Sequence, residues 1–334
     1  MSATGHLVSF VCRLNPAQLS EEVLRQSCRC VLDLVAVAIA GTRTPMTQIS
    51  ARFGYEHFAP GKSTVIGSRR SLSIPGAAWI NCNAASALDL DDGHRMAMGH
   101  PGAAVIPAAL AVAETTGATG REFLAAIVAG YEVAVRASVA RVPWYKDRMY
   151  SSGIWGVFGA TAAAGKLFGF GEDTLQSAIG IAGSHGAFPP GGLQANHSMV
   201  KEVIGWAGMT GCASALLAQQ GFIGPEDVMD YSGRWDTAQL VDGLDHNRRY
   251  AILDTYFKPY AVCRWAHSSV DAVLGLMARH RLRPEEVQHI LVETFYEVTR
   301  LVNYAPRNTI AAQFSIPFAL AVALLSGRID PEDV

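Results

Sequence analysis

The stretch between residues 88 and 102 gathers side chains that can transfer protons. It reads LDLDDGHR and, after three further residues, GHPG. Carboxylates and imidazoles close together can act as general acids and bases. Since charged residues make up only 17% of the sequence, their concentration here indicates a candidate active site. A polar loop whose aspartates only cap helices would have a similar composition, so this alternative stays open.

The helix that leads into this stretch determines which of its acids meet. The sequence AAWINCNAASALDL predicts a helix, and on it Asp89 and Asp92, three residues apart, would share a face. Asp91 would point elsewhere. The acids and His94 could also be ligands of a hard metal ion. Because Asp91 and Asp92 would diverge on a helix, a compact metal cage would need an irregular backbone, and we expect no metal.

A second predicted helix begins directly after the stretch. Gly93 lets the backbone leave the first helix, and Pro101 is typical of the first turn of the helix AAVIPAALAVAE. His100 would then lie just before a helix N-terminus, where backbone N–H groups favour an anion. A tight turn would bring the acids, a titratable imidazole and this helix end together.

Composition limits the class of protein. The chain has 334 residues, which favours one large and one smaller domain. Its 27 basic and 29 acidic residues nearly balance, and no basic cluster alternates with aromatic residues, so we expect neither a nucleic-acid nor a membrane partner. Six scattered cysteines without a CxxC pair indicate reduced thiols. No signal peptide is visible, so we expect a cytoplasmic protein.

The secondary-structure pattern changes near residue 250. Before it, amphipathic or small-residue-rich helices follow one another, with the extended piece STVIGSRR and a helix break at Gly169–Gly171. After it, a β-branched run from Ile290 to Val298 predicts a strand between two helices. A strand needs partners, and a helix start signal at Asp330 precedes the last residue by only four positions. We therefore predict a mostly α protein, with an all-helical domain at 1–256 and an incomplete α+β domain at 257–334.

Six segments in this order resemble the MmgE/PrpD family, which includes 2-methylcitrate dehydratase, cis-aconitate decarboxylase and iminodisuccinate epimerase. They are VAIAGT, ALDLDDGH with GHPGAAVIPAALAVAE, GVFGATAAAGKLFG, SMVKEVIGWAGMTGCASALLAQQGFIGP, KPYAVCRWAHSSVDAVL and AAQFSIPFALAVALLSG. The resemblance covers nearly the whole chain. It implies a large all-helical domain, a smaller α+β lid, an active site between them and a homodimer. It also implies metal-independent chemistry without a cofactor.

Four residues match the active-site motifs of this family. The resemblance suggests His100 as the leading general acid or base and Asp89 as a residue that orients a catalytic group or water. Lys201 and Lys258 would bind substrate carboxylates. A lysine beside a second cation can titrate low enough to act as a base, which makes Lys201 the second candidate for that role. Both lysines could instead be solvated surface residues.

Four further residues are candidates for substrate binding. They are Gly93, His94, Arg264 and His267. Arg264 could equally form a surface ion pair, and His267 could be a residue of a helix cap.

Three positions depart from the family pattern. Gly93 lies where lyases of the family often carry a threonine, and Tyr150 lies where a histidine-proline pair is common. Phe318 lies where decarboxylase-like members have a tyrosine. Tyr150 could replace the imidazole as a catalytic proton donor, because a phenol near a lysine can titrate usefully, or it could serve packing. Decarboxylation of cis-aconitate is therefore the least supported reaction.

Together these features predict a lyase for a small citrate-like di- or tricarboxylic acid. The expected reaction is dehydration, as in 2-methylcitrate dehydratase, and it begins with removal of the proton α to a carboxylate. One alternative is an epimerase of a dicarboxylate such as iminodisuccinate. Another is a truncated, catalytically inactive relative that acts as a dimer.

Overall fold

Helices dominate the structure, as the sequence predicts. The computed structural model describes residues 1–143, 146, 151–187, 198–231, 233–244 and 249–334. Its α-helices are α1 (Ala3–Arg13), α2 (Glu21–Gly41), α3 (Pro45–His57), α4 (Ile74–Ser86), α5 (Pro101–Thr116), α6 (Gly120–Val139), α7 (Ser152–Leu167), α8 (Glu172–His185), α9 (Ile204–Gln219), α10 (Thr237–Val241), α11 (Arg264–His280), α12 (Thr309–Gln313) and α13 (Ile316–Ser326). The mostly α fold class is confirmed.

Local signals explain several of the helix ends. The Ser20 hydroxyl accepts from the Val23 N–H at the start of α2, and Thr119 and Glu122 form a capping box at the start of α6. The predicted break at Gly169–Gly171 is present, because α7 ends and α8 begins on either side of it. Within the ranges described, no helix has both the length and the hydropathy that crossing a bilayer requires.

The core of the helical bundle is built around α5, α6, α7 and α9, which pack closely against one another. Glycines allow this approach. A Cβ atom added at Gly159 would lie only 2.5 Å from the carbonyl oxygen of Gly130, which is too close for a side chain. Tyr131, Trp155 and Phe158 are the largest side chains that this core buries almost completely. The small-residue pattern of the sequence therefore serves helix packing.

The described strands form two small antiparallel pairs. The predicted extended piece belongs to the pair of β1 (Pro60–Thr64) and β2 (Ser71–Leu72). The pair of β3 (Gly93–His94) and β4 (Thr255–Tyr256) joins distant parts of the chain. This second pair brings the residues after 256 beside the aspartate-rich stretch.

The C-terminal segment has its own apolar cluster around α11, α12 and α13, to which Met46 and Ala87 of the helical bundle also belong. The predicted strand from Ile290 to Val298 is wrong. Residues 287–295 have no regular secondary structure, and a 3₁₀-helix follows at Val298–Arg300. Unpaired strand N–H and C=O groups need a neighbouring strand, and among the described residues none pairs with this run. The domain boundary at 256/257 stays a prediction.

Candidate active site

Asp89 lies at the centre of a buried charge cluster. One of its carboxylate oxygens accepts from the Lys201 ammonium group and the other from the Lys258 ammonium group. The lysine side chains are only 1% and 0% exposed, so the surface interpretation of both is wrong. Burial alone would raise the pKa of Asp89, but the two ammonium groups outweigh burial and lower this pKa well below its usual range.

The backbone at Asp89 differs from the prediction. Helix α4 ends at Ser86, and the Asp89 N–H donates to the Ser86 carbonyl at 3.2 Å. Asp89 then adopts a left-handed conformation with φ of 52°, which aspartate tolerates better than most residues. The predicted helix face shared by Asp89 and Asp92 is therefore wrong, because the chain leaves the helix before it reaches either residue.

His100 faces the cluster from the N-terminus of α5, as predicted. Its Nε2 lies 3.8 Å from Asp89 Oδ1, and its Nδ1 lies 3.2 Å from Asp91 Oδ2 and 3.0 Å from the Asp92 carbonyl oxygen. Burial acts to lower the pKa of His100, but Asp91 and Asp89 together raise it to about 9. The prediction that Asp91 points away is wrong: its carboxylate contacts the imidazole and favours the imidazolium form.

Lys201 is held by residues from the C-terminal segment as well. It lies three residues before α9, donates to Gln313 Oε1 at 3.2 Å and lies 4.3 Å from the centre of the Phe314 ring. The Gln313 amide donates in turn to the Ala87 carbonyl at 2.7 Å. Burial acts to lower the pKa of Lys201, but Asp89 raises it. The carboxylate neighbour thus acts against a lowered pKa at Lys201, and its role as a base stays a prediction.

Asp92 belongs to a different environment on the other side of the same turn. Its carboxylate accepts from the Tyr131 hydroxyl and from the Gly102 N–H. Burial raises the pKa of Asp92 to about 6, although the hydrogen bond from Tyr131 acts to lower it. Asp92 thus ties the turn to the helical bundle and does not join the lysines.

Gly93 and His94 shape the turn. Gly93 pairs with Tyr256 in the β3–β4 ladder, and a Cβ atom added at Gly93 would overlap the Tyr256 phenol group. The space that a side chain at position 93 would need is thus filled by Tyr256, which sequence analysis did not identify. His94 is buried, its Nδ1 accepts from the Ala97 N–H at 3.2 Å, and burial lowers its pKa.

The other predicted substrate-binding residues lie at the margin of the cluster. Arg264 is exposed and lies 4.7 Å from the centre of the Tyr256 ring. His267 is half-buried, its Nε2 lies 3.0 Å from the Val262 carbonyl oxygen, and burial and nearby Lys258 lower its pKa. Both roles stay predictions.

Two of the positions that depart from the family pattern have no described contact with the charge cluster. Tyr150 lies outside the described residues. Phe318 is half-buried in the first turn of α13, where its N–H donates to the Ser315 hydroxyl at 3.1 Å. From this segment, Gln313 and Phe314 are the residues that contact Lys201.

Ser152 and Glu202 extend the cluster and were missed in the sequence. Ser152 begins α7 and accepts from the His100 N–H at 3.1 Å. Its own N–H and hydroxyl donate to the Glu202 carboxylate at 3.0 and 2.5 Å. The available signal was weak, because a serine in YSSG and a glutamate after a lysine are common in surface segments.

A metal ion would meet unfavourable charges here. Asp89, His100 and Glu202 offer possible ligand atoms within 4.8 Å of one another. However, both Asp89 oxygens already accept from ammonium groups, so a dication would lie beside two positive charges. The donor set therefore does not favour a metal ion, and metal-independent chemistry stays a prediction.

Comparisons with known proteins agree with the resemblance seen in the sequence. The MmgE/PrpD N-terminal domain matches residues 5–244, and the MmgE/PrpD C-terminal domain matches residues 260–334. A cis-aconitate decarboxylase-like protein, oryM, of Aspergillus oryzae is 31% identical over 243 residues, which cover 69% of this chain and 50% of that protein. Cis-aconitate decarboxylases of Aspergillus terreus and Homo sapiens are 27% and 28% identical over 96% and 98% of this chain, and each match covers 71% of the relative. The chain thus spans half to less than three quarters of these relatives, and both domain matches together show that it belongs to the MmgE/PrpD family.

Proposed function

We propose that this protein is a lyase for a small citrate-like carboxylic acid. One observation carries the proposal: Lys201, Lys258 and His100 converge on a single buried carboxylate, Asp89. Ammonium groups fixed in a buried site can bind substrate carboxylates and stabilise the negative charge that develops on an adjacent carbon. The names of the relatives, which are cis-aconitate decarboxylases or similar to them, support the same class of acid.

The finer function we propose is dehydration. The neutral form of His100, which is the minor form at pH 7 because the pKa is about 9, would remove the proton α to a carboxylate while Lys201 and Lys258 stabilise the enolate-like intermediate. The resulting imidazolium would then protonate the departing hydroxide, so that a C–H and a C–O bond break, a C=C bond forms and water leaves. Asp91 supports this cycle because its carboxylate, 3.2 Å from Nδ1, stabilises the imidazolium.

Decarboxylation is the second candidate, and the names of the relatives favour it. A C–C bond would break, CO₂ would leave, and His100 would protonate the remaining carbanion. This reaction needs a proton donor and no base, and a His100 pKa of about 9 makes the imidazole a donor at neutral pH. The departure at Phe318, where decarboxylase-like members of the family have a tyrosine, argues for dehydration instead.

Proton NMR in D₂O separates these reactions. The protein is incubated with 2-methylcitrate, citrate, citramalate, cis-aconitate and iminodisuccinate. A new alkene with loss of water shows dehydration, and loss of a carboxylate with deuterium at the product carbon shows decarboxylation. Deuterium at the α carbon without net conversion would instead favour the epimerase alternative. No change with any acid would overturn the proposed function and favour the inactive relative.

We also propose that the protein acts as a cytoplasmic homodimer without metal or cofactor. The near balance of acidic and basic residues gives no support for a nucleic-acid or membrane partner. Light scattering should give twice the mass of the chain, and turnover should survive dialysis against EDTA. An active monomer would contradict the homodimer, and loss of activity after dialysis against EDTA would contradict metal-independent chemistry.

A further inference from the structure

Glu202 places a third protein carboxylate within the charge cluster. One of its oxygens lies within 4.8 Å of possible ligand atoms of Asp89 and His100. The residue is only half-buried, whereas Asp89 is fully enclosed and already bound by two lysines. Among the described lysines and arginines, none forms an ion pair with Glu202. Glu202 is therefore the least buried carboxylate of the cluster, and we expect an incoming acid to meet it first.

The start of α7 holds Glu202 in this position through both backbone and side chain. The Glu202 carboxylate accepts from the Ser152 N–H and hydroxyl, and its carbonyl oxygen accepts from the Gly153 N–H at 3.0 Å. Glu202 and Val203 both have positive φ, 47° and 49°. Since Lys201 is the preceding residue, the backbone that directs its ammonium group to Asp89 also directs Glu202 to Ser152.

The charges around Glu202 indicate what it does there. Asp89 contacts Lys201, Lys258 and His100, and Asp91 contacts His100, so each basic group of the cluster already has a carboxylate partner. Glu202 adds a further negative charge, which acts to raise the pKa of Lys201. A substrate carboxylate beside Glu202 would face a like charge, and the donors of Ser152 that could bind it are already used.

We propose that Glu202 is a specificity-determining residue that occupies the place of one substrate carboxylate, so that the site prefers a dicarboxylate to a tricarboxylate. The inference rests on the proposed function, because it assumes that the cluster binds a carboxylic acid. It narrows the substrate class to acids with two carboxylates near the cluster.

Calorimetric binding of two unreactive acids to the full chain tests the inference. Glutarate carries two carboxylates and tricarballylate carries three. The wild-type protein should bind glutarate more tightly than tricarballylate. The Glu202→Ala variant should bind tricarballylate about tenfold more tightly than wild type does, which corresponds to about 1.4 kcal/mol of binding free energy. Glu202→Gln, which removes the charge but keeps the shape of the side chain, should give a smaller gain in affinity for tricarballylate. Adding Ser152→Ala to Glu202→Ala should reduce the gain, because the freed hydroxyl is lost.

A matched control removes a negative charge elsewhere. Glu226 is exposed and its backbone carbonyl binds Gln176, so Glu226→Ala should leave both affinities unchanged. An affinity for tricarballylate that neither substitution at Glu202 increases would overturn the inference. Equal gains for both acids, or no binding of either acid to wild type, would overturn it as well.

The NMR assay separates this inference from the proposed function. Selective binding without turnover of any acid would overturn the lyase function and support the role of Glu202. Turnover by wild type with an acid preference that Glu202→Ala does not change would support the lyase and overturn the role of Glu202. If Glu202→Gln lost all turnover but kept the binding preference of wild type, Glu202 would be a catalytic base. That result would also overturn the role of Glu202 in specificity.

Discussion

Asp89 and Asp92 are three residues apart and equally buried, yet their environments differ. Asp89 faces two ammonium groups, which lower its pKa despite burial. Asp92 faces the Tyr131 hydroxyl and the Gly102 N–H, and burial raises its pKa to about 6. Burial acts in the same direction on both carboxylates. The comparison shows that the partners of a buried acid decide whether its carboxylate stays ionised far into the acidic range or takes up a proton near pH 6.

The two carboxylates also differ in which part of the chain supplies their partners. The partners of Asp92 come from the helical bundle, since Tyr131 lies on α6 and Gly102 on α5. Of the partners of Asp89, Lys258 follows the β4 strand, and Lys201 is held by Gln313 of the C-terminal segment. The charge cluster around Asp89 therefore forms where the C-terminal segment meets the bundle, while Asp92 fixes the turn from within the bundle.

Replacing Asp89 by asparagine gives the largest expected effect on stability. Asp89→Asn leaves two buried ammonium groups without their carboxylate, and breaking a buried ion pair in this way costs about 3–5 kcal/mol. Urea unfolding at pH 7 measures the free energy of unfolding. The control Asp254→Asn removes an exposed partner of Arg249 and should cost less than about 1 kcal/mol. Equal losses in the two variants would contradict the central place of Asp89.

Replacing Lys201 by methionine should affect turnover most. Lys201→Met removes a preorganised positive charge, and loss of one such group lowers kcat about 10²–10³-fold. The NMR assay with the best substrate measures this loss. Lys166→Met is the control, because the Lys166 ammonium is partly buried and donates to the Val11 and Cys12 carbonyls away from the cluster. Turnover of Lys201→Met at the rate of the control would exclude a role in catalysis.

The raised pKa of His100 predicts a pH dependence of stability. The pKa rises from 6.5 to about 9 in the folded protein, so the folded state binds the proton more tightly than the unfolded state. The resulting stabilisation is complete below pH 6.5 and is lost as the pH rises through 9. The free energy of unfolding of wild type, measured by urea unfolding, should fall by more than about 1 kcal/mol between pH 6.5 and 9, and that of His100→Gln should fall by less. Parallel curves for the two proteins would show that His100 does not titrate as described.

Much of the fold and the meeting of four site residues followed from the sequence. Helix caps at Ser20 and Thr119 are local signals, and the resemblance singled out Asp89, His100, Lys201 and Lys258, which the structure brings together. Their roles stay predictions. The helical bundle was predictable because its apolar pattern and its stop signals lie within each segment.

Features that depend on distant contacts could not be predicted. The left-handed backbone at Asp89 has no local signal, and it redirects both Asp89 and Asp91. Gln313 and Glu202 gain their significance from partners at Ala87 and Ser152, far away in the sequence. The strand prediction near residue 290 failed for the same reason, because a segment with a strand pattern forms a stable strand only if another strand pairs with it.

The smallest expected effect completes the comparison of the two carboxylates. Because the pKa of Asp92 is raised from 3.8 to about 6, its contribution to stability is present below pH 3.8 and is lost as the pH rises through 6. Asparagine is neutral at every pH, and its Oδ1 can still accept from the Gly102 N–H or the Tyr131 hydroxyl. Asp92→Asn should thus change the free energy of unfolding at pH 7 by less than about 1 kcal/mol. Urea unfolding between pH 4 and 7 should also show a flatter pH dependence than in wild type. A loss as large as that of Asp89→Asn would mean that Asp92 is also a fixed charge, and that the two sides of the turn are electrostatically alike.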